Sequence, residues 1–200
     1  MNTKGPSTSV LVVGAGPAGL EAARACAERG YDVALAEAGT ELGGRVARER
    51  LLPGLSAWGR VADYRAYQLS QKANVQTYLE SPLDAAQILE FGFEHVCIAT
   101  GSAWRADGVA RQHVLPLPMD AAMPVFTPDD LMAGRCPTGQ VVLYDDDHFY
   151  MGGVLAELLV QQGSEVTLIT TAALVSEWTV HTLEHPEIHP RPAQTALRIH

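Results

Sequence analysis

The stretch Val10-Leu11-Val12-Val13-Gly14-Ala15-Gly16-Pro17-Ala18-Gly19 decides the fold. Four apolar residues running into a glycine read as a short strand buried on both faces. Three glycines spaced G-x-G-x-x-G then lead into an alanine-rich segment, Pro17 to Arg29, which reads as a helix. Proline suits its first turn, and Gly30 stands at the C′ position where a left-handed residue stops a helix. Asp32 to Glu37 is the next strand. Strand, glycine turn, helix and strand form a βαβ unit with a right-handed crossover, so the expected class is α/β of the Rossmann-like FAD/NAD(P)-binding kind.

The glycines carry chemistry as well as shape. Gly14 permits the tight turn, Gly16 lets a pyrophosphate approach the backbone, and Gly19 lets helix and strand pack closely. The helix N-terminus adds orphan amides and a partial positive charge. Glu37 ends the second strand, roughly 20 residues beyond the glycines, where a carboxylate accepts hydrogen bonds from an adenosine ribose. The same carboxylate repels a 2′-phosphate, so the expected adenosine is NAD-like or FAD-like and not NADP-like. The competing reading is a tight turn followed by a solvated strand end.

Outward from this unit, Leu55 to Lys72 has the spacing of an amphipathic helix, with Trp58, Val61, Ala62, Tyr64, Arg65 and Leu69 on it. Val75 to Leu79 alternates like a strand, Asp84 opens a helix over Ala85 to Phe91 that Gly92 ends, and His95 to Thr100 reads as another buried strand. Pro116, Pro118, Pro124 and Pro128 interrupt the next stretch, which reads as a connection. Thr127 with Asp130 resembles a capping box. Val141 to Tyr144 starts a second unit with a loop to Gly153, a helix over Val154 to Gln162, Gly163, and a strand over Glu165 to Thr170. The expected organisation is therefore a nucleotide-binding lobe over 9–110, a linker over 111–124, and a degenerate NAD(P)-binding-like lobe over 125–200 that stops short of completion. A proline-broken tail closes the chain from His185 to Pro192.

Composition narrows the function. Hydrophobic residues make up 47% of the 200 and charged residues 18%, a balance that supports a packed core. Fourteen Lys plus Arg against 23 Asp plus Glu leave a net charge of −9, which argues against nucleic acid and anionic membranes as partners. The apolar runs are far shorter than the ~20 residues of a membrane helix. The start, MNTKGPSTS, has no secretory h-region, so a cytoplasmic location is expected. Cys26, Cys97 and Cys136 are expected to be reduced, mostly buried thiols, too few to hold an ordinary iron–sulfur cluster. A disulfide reductase would carry two close cysteines after Gly43-Gly44, and Gly43 to Leu55 has none.

The turn of the second unit reads Asp145-Asp146-Asp147-His148-Phe149-Tyr150-Met151-Gly152-Gly153. Carboxylates lie where a pyrophosphate would sit, so no tight NAD(P)H site is expected there. Clustered carboxylates also suit Mg²⁺ or Ca²⁺. Consecutive loop residues rarely converge on one ion, and a solvated or helix-capping acidic loop is the reading adopted. His181, His185 and His189 have helical spacing, but Pro186 and Pro190 break that helix, so they read as surface histidines and no metal site is assigned.

Gly14 to Gly19, Glu37, Glu41-Leu42-Gly43-Gly44-Arg45 and Ala99-Thr100-Gly101 together resemble the FAD-binding half of the two-dinucleotide-binding flavoproteins. Leu52-Pro53-Gly54-Leu55, Trp58, Asp63-Tyr64-Arg65, Val141 to His148 and Glu177 to Pro186 narrow the resemblance to the C-terminal region of the trimethylamine, dimethylamine and histamine dehydrogenase family. It covers about Ser9 to Pro186. By that resemblance, Gly14, Gly16 and Gly19 hold a pyrophosphate, Glu37 the ribose, and Gly44 and Arg45 the phosphate side. Leu83, in Ser81-Pro82-Leu83, flanks the adenine, and Thr100 and Gly101 approach by backbone. For Arg45 a solvated surface arginine stays an equal alternative, and for Thr100-Gly101 a plain strand-ending turn. The implied ligand is FAD, or ADP in the same site.

The implied partners are a barrel domain or subunit carrying FMN and an iron–sulfur cluster, and an electron-transferring flavoprotein. The expected function is a nucleotide-binding module of an amine-dehydrogenase-like flavin oxidoreductase, supporting electron transfer and inactive alone. A non-catalytic ADP-binding structural or assembly domain is the alternative. No residue is assigned as catalytic acid, base or nucleophile.

Overall fold

The protein is described by a computed structural model over residues 9–188 and 197–199. Among the described residues two compact units emerge, 9–50 with 55–102 and 51–54 with 103 onward.

In the first unit, β1 (Ser9–Val13), α1 (Pro17–Glu28), β2 (Asp32–Ala36), α2 (Arg45–Glu49), a 3-10 turn (Ser56–Trp58), α3 (Gly59–Ser70), β3 (Val75–Tyr78), α4 (Ala85–Glu90) and β4 (His95–Ile98) follow in order. The four strands form a parallel sheet in the order β3-β2-β1-β4. The register pairs Val10 with Val33 and Val12 with Leu35, so these side chains share one face. Leu20, Ala23 and Ala27 of α1 and Ala62 and Leu69 of α3 cover that face. Fully burying a side chain such as Leu20 or Leu35 stabilises by about 1.5–3 kcal/mol. Leu11, Val13 and Ala34 point to the opposite face, covered by Leu83, Ile88 and Phe93.

Local chemistry sets the element ends. Gly30, at φ +87°, follows α1, and the Asn74 side-chain amide donates to the Ala27 and Tyr31 carbonyls at 3.0 and 2.7 Å. Asp84 and Gln87 cap α4 reciprocally. The helix expected from Leu55 is instead a 3-10 turn followed by α3. Its first residue, Gly59, lies under the Arg50 guanidinium, which a Cβ would meet at 2.2 Å. Arg50 donates to both oxygens of Asp63 at 2.7 and 2.9 Å.

Two further expectations are corrected. β4 is not buried: it is the sheet edge, and Val96 and Ile98 are 42% and 61% exposed. All three cysteines are free and only half-buried. Burial, with Cys97 nearby, pushes the Cys26 thiol up.

The second unit holds α5 (Pro128–Met132), β5 (Gln140–Asp145), α6 (Tyr150–Gln161), β6 (Glu165–Thr170), a 3-10 turn (Glu177–Val180), α7 (His185–Ile188) and β7 (Leu197–Ile199). Its parallel sheet runs β5-β6-β7. Thr127 and Asp130 form the expected capping box. Val154, Leu155 and Leu159 of α6 and Val166 and Leu168 of β6 are buried. α6 starts at Tyr150 and not at Val154, so Gly152 and Gly153 lie inside the helix. A Cβ on Gly152 would meet the Asp145 carboxyl carbon at 2.5 Å, so here tertiary packing outweighs the weak helix propensity of glycine. The proline-broken tail carries the short helix α7 at its start, and His189 lies outside the described residues.

Candidate nucleotide site

The carboxyl ends of β1, β2 and β4 gather most of the residues singled out above. The Gly14 amide donates to the Ala36 carbonyl at 2.7 Å, with Gly14 at φ +96°. A Cβ there would meet the Ala99 carbonyl oxygen at 2.4 Å, so the turn is wedged against the segment following β4. Gly19 sits where a Cβ would come within 1.8 Å of the Gly14 carbonyl oxygen, which brings α1 hard against the turn. Gly16 is different: it is the N-cap residue of α1, and a Cβ there would have nothing within 4 Å. This is the open side of the loop.

Glu37 does more than end a strand. Its Oε2 accepts from the Ala15 amide at 2.6 Å and its Oε1 from the Gly39 amide at 2.8 Å. The carboxylate thus ties the glycine loop to the loop after β2. That loop is pinned in turn to the chain after β3: the Ser81 amide donates to the Glu37 carbonyl at 2.8 Å and the Glu80 amide to the Gly39 carbonyl at 2.9 Å.

The Gly43 amide donates to the Ala15 carbonyl at 2.8 Å, and a Cβ on Gly44, at φ +54°, would meet the Gly16 Cα at 2.9 Å. Arg45 opens α2 and its guanidinium donates to the Ser102 carbonyl, bridging to the Thr100-Gly101 segment. Gly101, at φ +75°, faces open space.

Gly14, Gly16, Gly19, Glu37, Gly44, Arg45, Thr100 and Gly101 therefore lie on neighbouring segments at one end of one sheet. Leu83 stands apart, its side chain packed on Leu11, Val13 and Ala34. Sequence reasoning missed Ala15 and Gly39. Both contribute through backbone amides, which leave no mark in side-chain identity.

The acidic turn of the second unit corrects the reading of a solvated or capping loop. Asp145, Asp146 and His148 are buried, at 4%, 4% and 3% exposure, and the N-cap residue of α6 is Phe149 with no side-chain cap. Asp145 Oδ1 accepts from the Asp147 and His148 amides at 3.2 and 3.3 Å, while its Oδ2 has no hydrogen-bond partner among the described residues. Burial pushes the Asp145 carboxyl up, against the pull of those amides. Among the described residues no group of three metal-ligating side chains converges, and His185 Nε2 lies 3.1 Å from the Val175 carbonyl.

A raised folded-state pKa has a definite sign. Below the ordinary carboxyl range, about pH 4, Asp145 is neutral folded and unfolded. As pH rises, the unfolded chain ionises first and the folded state loses that share of stability. An Asp145→Asn variant is therefore expected to melt higher than the parent near neutral pH, with the gap closing toward about pH 4. Thermal denaturation across pH checks this, and a pH-independent gap would contradict it.

Both units have relatives among known proteins. A family described as an NAD(P)-binding Rossmann-like domain matches residues 12–81, and one described as an OYE-like second alpha/beta domain matches residues 126–199. Dimethylamine dehydrogenase of Hyphomicrobium sp. (strain x) is 39% identical over 173 residues, covering 82% of this chain and 24% of the relative. The histamine dehydrogenase structure from Rhizobium sp. 4-9 superposes with a TM-score of 0.94 at 63% identity, covering 100% of this chain and 31% of that one. The 6-hydroxypseudooxynicotine amine oxidase of Pseudomonas geniculata N1 superposes equally well, with a TM-score of 0.94, at 46% identity, covering 100% of this chain and 30% of that one. The chain thus spans 24–31% of these proteins' length. No helix among the described residues is long and apolar enough to cross a membrane. With 63% and 39% identity across both Rossmann-like units, the chain belongs to the histamine and dimethylamine dehydrogenase family.

Proposed function

We propose that the first unit binds the adenine-nucleotide part of FAD, or ADP in the same place, within an amine-dehydrogenase-like flavin oxidoreductase. The observation that carries this reading is the open approach at Gly16, beside a glycine loop whose Ala15 amide is already held by Glu37. The α1 N-terminus offers its free amides to the pyrophosphate. Glu37 uses one hydrogen bond on each oxygen for the loops, which leaves further lone pairs for ribose hydroxyls. Gly44 keeps the second loop close to Gly16, and Arg45, at the start of α2, offers positive charge on the phosphate side. Thr100 and Gly101 close the far edge by backbone, and the Ser81-Pro82-Leu83 segment, pinned to Glu37 by the Ser81 amide, is assigned to the adenine end, while the Leu83 side chain itself packs on the sheet.

FAD bound here supplies a redox-active isoalloxazine, whereas ADP supplies none. The chemistry on the amine then lies with an FMN and iron–sulfur barrel, as a domain or subunit, with onward transfer to an electron-transferring flavoprotein. The match to an OYE-like second alpha/beta domain and the partial coverage of the relatives support that division of labour. The setting inferred is cytoplasmic.

Calorimetric titration with ADP, FAD and NADP⁺ tests the reading. ADP and FAD are expected to bind in the micromolar range or tighter, about −8 kcal/mol, and NADP⁺ much more weakly because of Glu37. Binding of ADP alone would make the unit a structural nucleotide site; binding of none would overturn the proposal.

A further inference from the structure

The chain after Gly101 is more than a connector. Within the second unit the Trp104 amide donates to Asp129 at 2.9 Å, and residues 107–117 close on themselves: the Leu117 amide donates to the Asp107 carbonyl at 2.9 Å and the Ala110 amide to the His113 carbonyl at 2.8 Å. Gly108, at φ +76°, leaves room that the Leu117 side chain fills, 2.5 Å from where a Cβ would stand. The result is a compact loop whose tip is Arg111, Gln112 and His113.

Two anchors hold the tip. Asp146, directly after β5, accepts from the Gln112 and His113 amides on Oδ2 at 2.7 and 3.2 Å. Its Oδ1 accepts from the Thr171 hydroxyl at 3.1 Å, directly after β6. That leaves the Thr171 oxygen to accept from His148 Nε2 at 2.9 Å. The Arg111 guanidinium lies 4.4 Å from the centre of the Trp178 ring and 5.6 Å from that of Phe149, the N-cap residue of α6. The tip therefore sits where β5 and β6 end and α6 begins, the place where units of this topology take their ligands.

We propose that residues 107–117 are a built-in lid over the mouth of the second unit, with the Asp146 carboxylate as its latch and Arg111 as its second fastening. The acidic turn thus serves the protein's own chain. Asp146 spends its Oδ2 on two backbone amides of the lid, and Asp145 fills the space beside Gly152. Access of any ligand to this mouth requires release of the lid.

Amide hydrogen exchange followed by mass spectrometry tests this on the whole chain. Asp146→Ala is expected to speed exchange across 107–117 by roughly tenfold or more, with β5, β6 and α6 still protected. Arg111→Ala removes an exposed side chain without touching the buried network, and the same segment is expected to exchange several-fold faster. Unchanged exchange over 107–117 in a folded Asp146→Ala protein overturns the proposal. Should Asp146→Ala lose protection everywhere, Arg111→Ala decides: local acceleration supports the lid, and no change sinks it.

Discussion

Gly16→Val is expected to abolish tight adenine-nucleotide binding while leaving the melting temperature where it is. Gly16 has φ −69° and ψ −179°, an extended conformation open to any residue and the one favoured before a proline. A Cβ at this position has no neighbour within 4 Å, so the folded protein accommodates the side chain within about 0.5 kcal/mol. The valine methyl groups then stand in the approach to the α1 amides, where a pyrophosphate must come to van der Waals contact with backbone. Losing that approach costs about 3 kcal/mol, roughly a hundredfold in affinity. Calorimetry with ADP alongside thermal denaturation reads both halves, and full affinity in a well-folded variant would remove the glycine loop from the site.

Gly19→Ala is expected to do the reverse, damaging the fold before any ligand is considered. Its Cβ would lie 1.8 Å from the Gly14 carbonyl oxygen and 3.2 Å from the Ala99 Cβ. The first of these atoms is backbone, held by the turn itself, so no rotamer change relieves the clash. α1 must back away from the turn, loosening Leu20 and Ala23 from the sheet face they cover. Overpacking of this kind costs about 3 kcal/mol or more, a large share of a typical net stability of about 5–15 kcal/mol. Urea denaturation measures it, and an unshifted midpoint would mean that the helix and turn do not approach as described. The two glycines share one motif yet differ in kind, the first facing outward and the second packed inward.

That difference marks what could be read from the residues. The order of strand, glycine turn, helix and strand was legible because apolar runs, glycine spacing and helix stop signals are local. The repeat of that order from Val141 was legible for the same reason. α2 was not, because five residues leave no periodicity, and the early start of α6 was hidden by two glycines that ordinarily argue against a helix. β4 looked buried because apolar residues signal strand type, whereas burial depends on its position at the sheet edge. The acidic turn looked solvated because three carboxylates in a row normally are. Its burial rests on partners far along the chain, Gln112, His113 and Thr171.

The sequence by itself determined the α/β class and the first βαβ unit with its glycine turn, since each rests on contacts between near neighbours and on backbone conformations that particular residues favour. Only the tertiary structure decided that Glu37 ties the glycine loop through Ala15, that Gly16 is open where Gly19 is closed, and that Asp146 latches the loop at 107–117. The first and last are pairings of backbone amides with carboxylates across tens of residues, and a backbone amide is the same in every residue but proline; the second depends on what lies opposite each glycine in space.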